Sequence, residues 1–220
     1  MIKRQSTPDE PPISYGAIGA SRDPNLMRFP PRGSTPSEFA VKLGSGTERF
    51  RLASARLMTW GAQRGAGFDV HSIHEGTGSH YTGLEFDENG IPFADYHGDE
   101  QLFSEEGEEF ITPGISATLV RGSVSREVRV VFVVNETNRV GFAYGTLDAR
   151  GPVGEEFYMV EQRENDTVWA VYRGFHEVVQ SRWKKPLRAA EIRSVQDRAR
   201  EQLRALLPTQ TVVSAARRVE

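Results

Sequence analysis

The residue pattern predicts an α+β fold in which a strongly curved antiparallel sheet wraps a long carboxy-terminal helix, the helix-grip arrangement. Three observations point there. A short strand and an amphipathic helix come first, a run of short valine- and aromatic-rich segments follows from Gly67, and one long helical pattern comes last. The turn-rich connections between the segments leave no room for crossover helices, so neighbouring strands pair antiparallel. A sheet with one apolar face must cover it, and the last helix is the longest amphipathic cover available.

Residues 1–37 carry "PDEPP" and "FPPRGSTP" with little apolar periodicity. They read as an extended segment, draped over the surface or partly disordered, with Tyr15, Ile18, Leu26, Met27 and Phe29 as anchors. "SEFAVKL", Ser37 to Leu43, reads as a strand, and "GSGTERFRLASARLMTWGAQRG" as a helix entered through glycines. Ser45 and Glu48 have capping-box spacing, and Phe50, Ala53, Leu57 and Trp60 recur at three and four residues to form one buried face. Gly61 or Gly65 ends the helix.

The strand segments are "GFDVHSI", "GISATLV", "EVRVVFVV", "VGFAYGTL", "EEFYMVE" and "TVWAVYRGF". A last helix spans Leu187 to Leu207, where Ile192, Val195, Ala199, Leu203 and Leu206 repeat at three and four residues between arginines. Pro208 stops it, and 208–220 reads as a loose tail. The domain itself is placed at 38–207, with an acidic insertion at about 75–109.

Within "GFAYGTLDARGPVGEEFYMVE", Gly141 and Gly145 sit inside a strand, where glycine marks a bend or a close approach to the backbone. Such positions let a sheet curve. Phe142, Tyr144 and Thr146 share one face, and Gly141, Ala143 and Gly145 leave the other nearly bare. The expectation is that the helix or a ligand lies against the bare face.

With 220 residues the chain suits one domain that buries a real core. A net charge of -3 argues against a nucleic-acid partner, for which a basic face is expected. Cysteine is absent, which removes disulfides and thiolate chemistry and fits a reducing compartment. No apolar run approaches the roughly 18 residues of a membrane span. The expectation is a soluble, cytoplasmic protein whose oligomeric state these residues leave open.

On "KLGSG", "WGAQRGAGFDV", "GFAYGTL", "GEEFYMVE" and "VWAVYRGF", from about Tyr15 to Leu206, the chain resembles an uncharacterised domain-of-unknown-function family near the START and birch-pollen-allergen-like superfamily. The motif positions are Gly44, Ser45, Gly46, Gly141, Tyr144, Gly145, Gly154, Glu155 and Glu156. The resemblance implies a START-like helix-grip fold with a possible apolar pocket, and brings no established activity, substrate or catalytic residue.

One departure from that family stands out. Between Glu75 and Glu109 the segment is longer than the resemblance predicts, rich in acids and without lysine or arginine. "LEFDENGIPFADY" within it reads as a hairpin around Asn89-Gly90. Such an insertion would cap one end of the pocket.

Each candidate for chemistry has a plainer alternative. Gly44, Ser45 and Gly46 at a helix amino terminus would receive an anion, or simply turn the chain and cap the helix. Neither a P-loop nor a dinucleotide fingerprint is completed, so no cofactor is implied. His71, His74, His80 and His97 lie in or beside the acidic segment. His71 and His74 differ in strand parity, which separates them on a straight strand, and no metal site is assigned.

Glu155 and Glu156 are neighbours and point to opposite faces of a regular strand. One of them turns inward, as a general acid or polar anchor whose pKa burial would raise, or one pairs with an arginine such as Arg173. His176 sits at a strand end, at a pocket mouth or merely on the surface. Trp60, Tyr144, Trp169 and Tyr172 line an apolar cavity or serve as ordinary core. Arg188, Arg193, Arg198, Arg200 and Arg204 make a basic helix face that contacts the acidic insertion or a partner, or is simply solvated.

The function expected is binding of a hydrophobic or amphipathic small molecule between sheet and last helix, by Trp60, Tyr144, Glu155, Glu156, Trp169, Tyr172, Arg173 and His176. The alternatives are acid/base catalysis on such a molecule, and docking of a basic protein through the acidic insertion.

Overall fold

The structure, a computed structural model, describes residues 13–75, 85–86, 92–93, 107–178 and 185–208. From Ile13 an irregular segment with one 3-10 turn, Ala20–Arg22, leads into β1, Thr35–Ser45. Helices α1, Thr47–Met58, and α2, Gly61–Gly65, follow, and then β2, Asp69–His74. The short strands β3, Glu85–Phe86, and β4, Pro92–Phe93, come next. The chain continues through β5, Ser116–Arg121, β6, Val124–Glu136, β7, Arg139–Thr146, β8, Val153–Gln162, and β9, Thr167–Glu177. The helix α3 spans Lys185–Ala205.

Seven strands form one sheet in the order β1-β9-β8-β7-β6-β5-β2, and every neighbouring pair is antiparallel. The consecutive strands β5 to β9 make a meander, and β1 closes onto β9, so the first and last strands of the sheet order are β1 and β2. Helices α1 and α2 join these two edges, and α3 packs against β1, β9 and α2 on the concave side. This is the helix-grip arrangement that the order of elements predicts.

Strand alternation creates two apolar layers. The concave layer unites Leu57 and Trp60 from the helical corner, Phe142, Tyr158 and Tyr172 from the sheet, and Leu203 from α3. The convex layer contains Val131, Phe132, Ala143, Phe157, Met159 and Val171, with Ile13, Ile18 and Trp169 packed against it. A register shift between Val130 and Phe132 lets the adjacent Val131 and Phe132 both join the convex layer, which a regular strand forbids.

The amino-terminal segment is therefore the cover of the convex face. Leu26 is buried and Tyr15 and Ile18 are half-buried, but Met27 and Phe29 are exposed and do not anchor it. This segment, rather than the last helix or a ligand, lies against the bare strip at Gly145: a Cβ there would meet the Tyr15 hydroxyl at 2.2 Å. At Gly141 the obstacle is the backbone of β8, with Tyr158 O 2.2 Å from the same position. Gly154 is likewise closed off, by Phe175 O.

The single helix expected over Gly44 to Gly65 is two helices. Trp60 adopts a left-handed conformation, φ 62°, and Gly61 begins α2 instead of ending α1. The bulky residue is held there by burial, since Trp60 is 3% exposed and meets Phe142 edge-on at 5.1 Å. The expected capping box is absent. Gly46, at φ 92°, is the cap residue of α1, Ser45 ends β1 with an exposed side chain, and Glu48 binds Arg51 instead. Positive φ at Gly46 explains the glycine, and Gly44 at φ 141° stands at the register shift of β1.

In the acidic segment, β3 and β4 pair antiparallel, Glu85 with Phe93 and Phe86 with Pro92, as a hairpin about Asn89-Gly90 requires. Most of that segment, His80 and His97 included, lies outside the described residues, as do 1–12 and 209–220. Among the described residues no helix is long and apolar enough to cross a membrane.

Candidate ligand-binding site

The floor of the site follows from strand register. Tyr144 on β7, Glu156 on β8 and Gly174 on β9 are paired across three adjacent strands, and Tyr158 and His176 lie two residues further along their own strands. All five share the concave face. Tyr158 Oη donates to Glu156 Oε2 at 2.6 Å and Tyr144 Oη to the same oxygen at 3.1 Å, while His176 Nε2 lies 3.3 Å from Oε1.

Burial alone would raise the Glu156 carboxyl. The hydrogen bond and charge of His176, the Tyr158 hydroxyl and the Arg198 guanidinium outweigh it and hold the group below its ordinary range. Glu156 is thus an anion at neutral pH. The tyrosines move oppositely, because burial and then the Glu156 charge push the Tyr144 and Tyr158 hydroxyls well above their ordinary value.

Above this floor a cavity of about 450 Å³ lies between the sheet and α3. Its lining interleaves apolar side chains, Phe68, Leu119, Val124, Val128 and Val195, with polar ones, Tyr144, Glu156, His176, Arg126 and, from α3, Glu191, Ser194, Arg198 and Gln202. The α3 residues recur at helical spacing and so face the cavity as one row. Exposed Ser123, Ser125 and Arg150 stand at its rim.

The cations differ in how they are compensated. Arg126 lies 3.5 Å from Asp148 and donates to the carbonyl of Pro152, and Arg150 pairs with Glu127 at 2.8 Å. Among the described residues Arg198 bonds only Ser194 Oγ, at 2.6 Å. Two acceptors on α3, Glu191 Oε2 and Gln202 Oε1, are buried without a hydrogen-bond partner.

The residues expected to bind ligand divide by face. Tyr144, Glu156 and His176 line the cavity. Trp60 and Tyr172 are on the same side of the sheet but are packed into the concave core. Glu155, Trp169 and Arg173 are on the convex side, away from the cavity. Glu155 is fully buried there and accepts from Tyr15 Oη at 2.6 Å, Gly19 N at 2.8 Å, and Ser21 N and Oγ at 2.9 and 2.5 Å. Trp169 lies under Arg163, with 4.3 Å from the guanidinium carbon to the ring centre. Arg173 does form an acid pair, but with Glu38 at 2.8 Å.

The basic face of α3 also divides. Arg198 turns into the cavity, Arg200 stacks 3.9 Å above Phe39, and Arg188 donates to Gly33 O at 2.7 Å. His71 and His74 are exposed on either side of a register shift in β2, and among the described residues no group of three metal-ligating side chains converges.

Residues 99–205 match the model of DUF1990, a domain of unknown function. That finding bears out the resemblance to an uncharacterised family, and all the cavity-lining residues except Phe68 fall inside the DUF1990 match. No curated protein matches the chain. Among solved structures, the hypothetical protein jhp0584 from Helicobacter pylori is similar with a TM-score of 0.51 at 15% identity, over 88% of this chain and 96% of that one. Ara h 8.0201 is similar with a TM-score of 0.37 at 10% identity, over 78% of this chain and 98% of that one. The first likeness agrees with the fold seen around the DUF1990 region.

Arg126, Glu191 and Gln202 were not among the residues expected at a site. Glu191 and Gln202 share the heptad-like row of Val195 and Arg198, a signal present in the spacing. Tyr158 shares strand parity with Glu156. Arg126 had no such signal, because its place depends on how β6 pairs with its neighbours.

Proposed function

We propose that this protein binds an amphipathic small molecule in the cavity between the sheet and α3. The observation that carries the reading is the mixed lining, which combines apolar Phe68, Leu119, Val124, Val128 and Val195 with polar Tyr144, Glu156, His176 and Arg198. A volume of about 450 Å³ suits an organic molecule, and walls of mixed character fix its orientation. A wholly apolar ligand fits less well, since of the four aromatic side chains expected around it only Tyr144 lines the cavity, Trp60 and Tyr172 being packed in the concave core and Trp169 on the convex face. Native mass spectrometry of gently purified protein, compared with the denatured mass, tests the reading. Excess mass that vanishes on denaturation, and that is lost from Val195→Trp, supports it; excess mass retained by Val195→Trp would place the molecule elsewhere.

A second reading, proton transfer on the bound molecule, is favoured by the Glu156 and His176 pair, 3.3 Å apart at the cavity floor. Its test is turnover by the wild type of a molecule recovered from the cavity, abolished in His176→Asn. The docking of a basic partner by the acidic insertion concerns a segment mostly outside the described residues.

A further inference from the structure

We propose that the cavity takes an organic acid whose carboxylate pairs with Arg198 and whose own hydroxyl donates to Gln202, one helical turn further along α3. This rests on the ligand-binding reading and names the class of molecule. Arg198 carries five N–H donors in a planar fork suited to a carboxylate, and Ser194 Oγ takes one of them at 2.6 Å, which orients the rest.

The other charges in the lining leave this role to Arg198. Glu156 already receives Tyr144, Tyr158 and His176, and Arg126 and Arg150 both face Asp148. Gln202 is 3% exposed, lines the cavity, and has no partner for Oε1. A buried acceptor calls for a donor, and a ligand that brings an O–H beside its carboxylate meets both Gln202 and Arg198. Its apolar remainder lies toward Phe68, Leu119 and Val124.

The test is displacement of an uncharged apolar dye, N-phenylnaphthylamine, by mandelate and by phenylethylene glycol, which keeps the ring and hydroxyl but lacks the carboxylate. The wild type should take up the dye, Val195→Trp should not, and mandelate should compete at a concentration about tenfold or more below the glycol, as a charge-assisted pair requires. Arg198→Gln should remove that preference and Arg198→Lys restore part of it. Should Arg198→Gln fail to fold, Ser194→Ala must weaken the preference by loosening Arg198. Equal competition by the two compounds, or a preference that survives Arg198→Gln, would overturn the carboxylate assignment and leave the cavity reading standing. Absence of dye uptake by the wild type would overturn both.

Discussion

The hydroxyl of Tyr15 occupies the space over Gly145, 2.2 Å from where a Cβ would stand, and from there donates to Glu155 Oε2 at 2.6 Å. The missing side chain on β7 and the buried carboxylate on β8 are thus two halves of one docking site for the amino-terminal segment. Gly145→Val should displace Tyr15 and destabilise the fold by about 1–3 kcal/mol, the usual cost of overpacking. Urea denaturation reads the change, and an unaltered midpoint would contradict this role for Gly145.

Glu155 holds the same segment more strongly. Glu155→Ala removes the acceptor of Tyr15, Gly19 and Ser21 at once, and should cost at least about 3 kcal/mol because charge-assisted bonds are lost and buried donors are left unmatched. Hydrogen exchange over residues 13–26 should accelerate more than exchange in β7 to β9. Uniform acceleration across the sheet would argue that the segment and the sheet unfold together.

The acid limb of stability should depend on Glu156. Its pKa in the folded state is below the ordinary value of 4.5, so its contribution is fully present above that value and is lost as pH falls through the lower, folded value. The stability advantage of wild type over Glu156→Gln should therefore be largest near neutrality and shrink in acid. Denaturation curves at a series of pH values check the sign, and an advantage that grows on acidification would refute it.

The alkaline limb should follow the tyrosines. Burial raises Tyr15, Tyr144, Tyr158 and Tyr172 above the ordinary value of 10.0, so the stability they contribute is present below it and is lost as pH rises toward their folded values. At least these four of the six tyrosines should stay un-ionised until the fold melts. Tyrosinate absorbance followed together with circular dichroism tests this, and ionisation of more than two tyrosines ahead of unfolding would be the contrary result.

Much of the architecture is legible in local pattern. The alternation in "VGFAYGTL" and "TVWAVYRGF" assigns strands, and Ile192, Val195, Ala199 and Leu203 assign the buried stripe of α3. Adjacent Glu155 and Glu156 must point oppositely for the same reason. The break at Trp60 has no such local signal, because its left-handed turn is sustained by burial against Phe142 and not by any local preference.

Local residue pattern sets the order of elements, their amphipathic faces and the opposed directions of the two glutamates, because helix and strand periods are properties of the local backbone. Which glutamate meets the cavity is settled by packing. That choice depends on which apolar layer each face of the sheet joins, with the amino-terminal segment covering one side and α3 the other. Contacts such as Tyr15 to Glu155, 140 residues apart, and the gathering of Arg126, Glu156, His176 and Arg198 around one cavity arise from strand register and helix packing, which no local spacing encodes.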